Sequence, residues 1–66
     1  MKVHYDEAAD AVYVRLDDSP IVDSEEVRPG IVLDFNGDDM VVGIEILHAG
    51  RHVSLASLRQ IQFEVA

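Results

Sequence analysis

Residues 31–48 read Ile-Val-Leu-Asp-Phe-Asn-Gly-Asp-Asp-Met-Val-Val-Gly-Ile-Glu-Ile-Leu-His. This stretch decides the fold class. Two runs of alternating apolar residues flank Asn36-Gly37-Asp38-Asp39, and Asn-Gly between such runs is the strongest short-range signal of a β-hairpin. A chain of 66 residues has room for one sheet and little else, so the hairpin predicts a protein built on an antiparallel sheet.

The turn also predicts a register for this central hairpin. Pairing Phe35 with Met40 brings Leu33 opposite Val42, on an apolar face, and Gly43 opposite Val32. The opposite face then carries Asp34 and Glu45. Glycine inside a strand is typical of a bulge or of a close approach by another group.

The rest of the chain extends the sheet. Residues 2–6 and 11–16 predict two strands in which Asp6 faces Ala11, because this register sorts apolar from polar side chains. Residues 21–27 predict a charged edge strand. Ser54 is the expected N-cap of a helix over residues 55–60, followed by a strand over residues 61–65.

Together these elements predict an α+β fold in one domain, residues 1–66. Its small antiparallel sheet has about five to six strands, and one short C-terminal helix packs on it. We expect one shared core. Its members are Val3, Val12, Val14, Leu33, Val42, Ile44, Ile46, Leu55 and Leu58.

Composition limits the classes of partner. Thirteen acidic residues against five Lys and Arg give a net charge of −8, which repels a phosphate backbone, so we expect no direct nucleic-acid partner. No apolar run reaches membrane-spanning length, and we expect no membrane partner. A basic protein is a better electrostatic match. The absence of cysteine in so short a chain favours the reducing cytoplasm.

Four segments resemble the short prokaryotic proteins catalogued as domain of unknown function 2283. The likeness runs over nearly the whole chain, and its most specific part is Val-Gly-Ile-Glu-Ile-Leu. That family has no established activity, so the resemblance implies the fold and a prokaryotic origin. The segments are Tyr5-Asp6-x-x-x-Asp10-Ala11-Val12-Tyr13-Val14, Pro29-Gly30-Ile31-Val32-Leu33-Asp34, Val42-Gly43-Ile44-Glu45-Ile46-Leu47, and Ser54-Leu55-Ala56-Ser57-Leu58 continuing to Phe63-Glu64-Val65.

The histidines and some acids are the candidate metal ligands: His4, His48, His52, Asp34 and Glu45. His48 and His52 have the spacing of two ligands on one helical turn, but Gly50 between them argues against a helix. Zinc sites usually need at least three protein ligands, and the sequence brings no third one nearby. The acidic hairpin tip resembles a calcium loop in spacing but lacks the glycine and the following helix. We therefore assign neither a metal nor a cofactor.

Two functional hypotheses remain open. No catalytic residue is assigned, because paired acids such as Asp6 and Asp10 can simply cap a loop. The first hypothesis is a non-enzymatic homodimeric interaction or regulatory module, for example an antitoxin-like protein that masks a basic partner, with residues 61–65 at the dimer interface. The alternative is a small metal-binding protein or metal-dependent enzyme that uses histidine and carboxylate side chains.

Overall fold

A computed structural model describes residues 1–66 as a five-stranded antiparallel sheet. The elements are β1 (Lys2–Asp6), β2 (Ala11–Arg15), β3 (Asp23–Arg28), β4 (Ile31–Phe35), β5 (Val41–Leu47), a 3-10 helix (Ala49–Arg51) and α1 (Leu55–Leu58). In space the strands follow the order β1-β2-β5-β4-β3, so β5 is central and β1 and β3 are the edges. The predicted small α+β fold is confirmed, and the charged third strand is an edge as expected.

The first hairpin has the register that the sequence predicts. Asp6 pairs with Ala11, Tyr5 with Val12, and the pattern continues along both strands. Side chains alternate between the two faces of a strand, so this register places the apolar residues of β1 and β2 on one face. The prediction was correct because a slip by one residue would have mixed polar and apolar side chains on both faces.

The central hairpin has a different register from the predicted one. Asn36, and not Phe35, faces Met40, because the Asn36 N–H donates to the Met40 carbonyl at 3.0 Å. Phe35 then pairs with Val41, and a bulge next to it shifts the pairing further, so that Leu33 faces Ile44. Gly43 lies opposite Asp34 and not opposite Val32. The total shift at Leu33 is two residues, which keeps Ile31, Leu33 and Ile44 on their predicted face.

The strand registers divide the sheet into two chemically different faces. We call the first the apolar face; it carries Val3, Tyr5, Val12, Val14, Ile31, Leu33, Phe35, Ile44 and Ile46. We call the second the polar face; it carries His4, Tyr13, Arg15, Ser24, Glu26, Asp34, Gly43, Glu45 and Leu47.

The fully buried core is smaller than predicted. Its only apolar members are Val12, Val42 and Ala49. Val3 and Leu55 were predicted to be buried and are 44% and 40% exposed. The other predicted core residues are half-buried: Val14, Leu33, Ile44, Ile46 and Leu58. A single sheet layer has nothing to pack against over much of its surface, which explains the difference.

The C-terminal part of the chain adds little to this core. Ser54 caps α1 as predicted, accepting a hydrogen bond from the Ser57 N–H at 3.1 Å. The helix contains no buried residue and ends at Leu58. The strand predicted over residues 61–65 is wrong: residues 59–66, which we call the tail, pair with no strand. Neither the 3-10 helix, with three residues, nor α1, with four, could span a membrane.

Candidate functional site

The centre of the polar face is built around a buried carboxylate. Asp34 is 3% exposed and accepts a hydrogen bond from the Ser24 hydroxyl, with 2.5 Å between the two oxygens. Ser24 lies directly opposite on the edge strand β3. A buried carboxylate needs such partners because its desolvation is costly. The pairing of strands thus supplies the hydroxyl that the carboxylate requires.

Gly43 lets two side chains converge over the central strand. A Cβ atom at this position would lie 2.5 Å from the Tyr13 Oη and 2.9 Å from the Asp34 Oδ2. The close approach predicted for Gly43 is therefore confirmed. The Tyr13 side chain fills the space above Gly43 that a side chain at this position would otherwise occupy, as aromatic residues do over strand glycines.

Glu45 lies next to this cluster on the same strand and face. The pKa of Glu45 is raised above its ordinary value, mainly by burial and to a smaller extent by the nearby Asp34 carboxyl. Two carboxyl groups close together disfavour simultaneous ionisation. The sequence predicted that Asp34 and Glu45 share a face without being directly opposite, and the register confirms it.

Arg15 ties the cluster to the turn after β2. Its guanidinium donates to the Tyr13 Oη at 3.3 Å and also to the carbonyl of Ser19. Asp17 accepts from both the backbone and the hydroxyl of Ser19, and these hydrogen bonds lower the pKa of Asp17. Hydrogen bonds from Arg15 therefore connect Tyr13, on the polar face, to the turn that contains Ser19.

The two acids of the first loop have separate structural roles. Asp6 accepts from the Ala9 N–H at 3.2 Å, which is the loop-capping role expected from its position. Asp10 instead reaches across the fold, accepting from the Gly50 N–H at 3.0 Å and from the Tyr5 hydroxyl at 3.3 Å. Burial and the Asp10 charge raise the pKa of Tyr5.

The candidate metal ligands do not form one site. His4 lies exposed on the edge strand β1, whereas His48 and His52 lie near each other beyond the end of β5. Asp34 and Glu45 lie together on the polar face. No three His, Asp or Glu side chains come together in a group that could hold a metal ion.

Two open cavities exist, and neither is lined by Asp34 or Glu45. The smaller, of about 280 Å³, lies at the turns around Ser19 and Asn36. We call the larger, of about 330 Å³, the end cavity. It is lined by Glu26, Pro29, Leu47, His48, Arg51 and His52, among others. The sequence singled out the two histidines but missed Arg51 and Glu26, which come from distant parts of the chain.

The family model described as protein of unknown function (DUF2283) matches residues 2–49. The chain belongs to the DUF2283 family. Comparison with curated proteins and with solved structures gave no match. The DUF2283 match spans all five strands, so the family's unit in this chain is the sheet with its buried Asp34 and its Gly43. Arg51, His52, α1 and the tail lie after the matched segment.

Proposed function

We propose that this DUF2283 protein is a non-catalytic interaction module that works as a homodimer, with its apolar face covered by a second copy. The observation that carries the proposal is the amount of surface the single chain leaves in water. Its accessible surface is 5138 Å², whereas a compact monomer of its mass is expected to expose about 4,200 Å².

The size of this excess is that of a protein interface. It amounts to roughly 900 Å², and each partner in a standard-size complex buries about 800 Å². The radius of gyration agrees: it is 12.6 Å, against about 11 Å expected for a compact chain of this length. The open sheet and the exposed tail together account for the shape.

The apolar face is the part of this surface that a partner would cover first. Ile44 and Ile46 lie on the central strand, yet neither is fully buried. On β1, Val3 is 44% exposed. A sheet with one uncovered apolar face is stabilised when another layer packs on it. The chain itself covers this face only in part: Val12 is buried there, but α1 buries none of its residues.

The distribution of charge leaves the apolar face as the surface where a second copy of this chain can dock. Two copies carry a net charge of −8 each and repel each other over most of their surfaces. The apolar face has no charged residue on β1, β2, β4 or β5, and acids enter it only at the edge strand, as Asp23 and Glu25. Charged residues are typical of an interface rim, and uncharged ones of its centre.

The tail supplies a further apolar contribution to the same dimer. Ile61, Phe63 and Val65 alternate with polar residues and are 63%, 84% and 82% exposed. The tail thus has one apolar side with no partner in its own chain. We propose that this side packs at the interface between the two copies, where exposed aromatic residues contribute most to affinity.

The outer surface of such a dimer is acidic, which fits a basic protein as the regulated partner. The turns at its borders carry Asp17, Asp18, Asp38 and Asp39. Clustered acids raise the association rate with a basic partner and suppress binding to acidic ones. An antitoxin-like or other regulatory protein that masks a basic surface is the most specific form of this proposal.

A matched pair of variants on β1 tests the dimer. Val3→Asp places a charge on the apolar face, and His4→Asp places the same charge on the polar face of the same exposed edge strand. Sedimentation velocity should show that Val3→Asp is monomeric, while wild type and His4→Asp are dimeric. A monomeric wild type, or equal behaviour of the two variants, would contradict the proposal.

The partner class is tested separately, by capture from an extract of the native host. We expect the captured proteins to have basic binding surfaces and to be released by moderate salt, because exposed charge pairs are screened. Partners that are acidic, or that resist salt, would rule out the masking of a basic surface and leave the dimer unaffected.

A further inference from the structure

The end cavity gathers basic residues in an acidic protein. Three of the chain's eight Lys, Arg and His residues line it, namely His48, Arg51 and His52, against a single acid, Glu26. Arginine and histidine side chains all carry N–H groups that can donate to an oxygen ligand. The cavity therefore concentrates donors, one of them a permanent cation, in a chain that is acidic overall.

The basic side chains that line this cavity make no hydrogen bond or ion pair inside the protein. Arg15 donates to Tyr13 and Ser19, and Arg28 donates to the Val27 carbonyl at 2.6 Å. The Arg51 guanidinium makes no comparable hydrogen bond and has no ion-pair partner. Its planar group of five donors is free to bind an oxygen ligand at two points.

The backbone that carries Arg51 is held in place by Asp10. The Ala49 N–H donates to the Asp10 carbonyl at 2.9 Å, and the Gly50 N–H donates to the Asp10 carboxylate at 3.0 Å. Ala49 is completely buried. His48, at the start of this turn, has the left-handed conformation with φ 52°. Arg51 and the two histidines thus project from a turn that is anchored before any ligand binds, which lowers the entropic cost of binding.

We infer that the end cavity binds a small organic oxyanion, a carboxylate or a phosphate ester, through Arg51, His48 and His52. The volume of about 330 Å³ is at the lower end of the range for small-molecule sites. Pro29 and Leu47 give the cavity an apolar wall for the carbon part of such a ligand. Arginine is the side chain best suited to bind both oxygens of a carboxylate or phosphate.

The position of the cavity separates this inference from the proposed dimer. Glu26 and Leu47 both lie on the polar face, and no residue that lines the cavity belongs to the apolar face. The dimer leaves it accessible. A failure of the anion site therefore says nothing against the dimer, and the reverse also holds.

The test is a titration of the full chain at neutral pH, followed by ¹H–¹⁵N NMR, with inorganic phosphate and acetate as separate probes and chloride at equal ionic strength as the reference. We expect saturable shifts at residues 48–52. Arg51→Gln should weaken binding by about tenfold or more, the effect of losing a charge-assisted hydrogen bond. Arg59→Gln, which removes the same charge outside the cavity, should change affinity by less than about twofold.

A second variant tests the local charge directly. Glu26→Gln removes the acid from the cavity wall and should tighten binding of either probe. The stronger probe identifies the ligand class, since phosphate and acetate carry different charges and shapes. Absence of saturable shifts up to about 10 mM of both probes, or equal binding by wild type and Arg51→Gln, would overturn the inference.

Discussion

Gly43 is the residue on which the polar face depends most. The Tyr13 hydroxyl and the Asp34 carboxylate converge above it, and both are held by other partners. The sequence indicated a close approach there, because glycine weakens a strand interior unless something replaces its side chain. It did not indicate which groups converge, since that depends on the bulge beside Phe35.

Gly43→Ala should therefore destabilise the protein by about 1–3 kcal/mol, the usual cost of overpacking. The added methyl group would meet Tyr13 and the buried Asp34 at distances that require one of them to move. Gly37→Ala is the control, because no atom lies within 4 Å of a Cβ there, and its effect should be within about 0.5 kcal/mol. Chemical denaturation at fixed protein concentration measures both. Equal stability of the two variants would show that the space above Gly43 is not filled.

Glu45 gives the polar face a predictable dependence on pH. Its pKa is raised in the folded state, by burial and by Asp34, so the folded protein binds this proton more tightly than the unfolded chain does. The stabilisation is complete below the unfolded-state pKa and is lost as the pH rises through the folded-state pKa. At neutral pH the ionised Glu45 is thus a net cost to the fold.

Glu45→Gln should raise the free energy of unfolding at pH 7 and lose that advantage near pH 4. The control is Glu64→Gln, which removes the same charge from the exposed tail. Denaturation curves of the three proteins at both pH values give the comparison. If Glu45→Gln is no more stable than Glu64→Gln at pH 7, the repulsion between Glu45 and Asp34 is unimportant.

At the scale of elements, the sequence predicted the strands better than their pairing. The first hairpin is correct because its faces are sorted by polarity. The register of the central hairpin is wrong because Asn36 takes the pairing position expected for Phe35. The assignment of Leu33 to the apolar face is still correct, because side chains alternate with a period of two and the total shift at Leu33 is two residues.

The tail shows where periodicity fails as a predictor. Residues 61–65 alternate like a strand, but a strand also needs an edge within reach, and periodicity carries no information about that. In the proposed dimer the apolar side of the tail contacts the partner copy. Its alternation then reflects an interface between chains and not a sheet within one chain.

Phe63→Ser should therefore weaken the dimer while leaving the monomer folded. The exposed aromatic side chain buries almost nothing within its own chain, so the circular dichroism spectrum should be unchanged. The dimer dissociation constant should rise by about tenfold or more, as for loss of an aromatic anchor. Gln62→Ser, on the other side of the same segment, is the control. An unchanged dissociation constant for Phe63→Ser would remove the tail from the interface.

At the scale of the whole molecule, one chain buries less apolar surface than the nine-residue core predicted from the sequence. It has only three fully buried apolar residues and an accessible surface of 5138 Å². The end cavity could not be predicted from the sequence. Its lining comes from β3, the end of β5 and the turn after it, and only the folded sheet brings Glu26 near Arg51.

Intermolecular NOEs report whether two copies meet through the apolar face, as we propose. The sample is a mixture of ¹³C-labelled and unlabelled protein, so that only contacts between copies give filtered signals. We predict intermolecular NOEs to the methyl groups of Ile44, Ile46 and Leu33. Signals confined to Leu47 and Val32 on the polar face, or no intermolecular signals at all, would contradict the account.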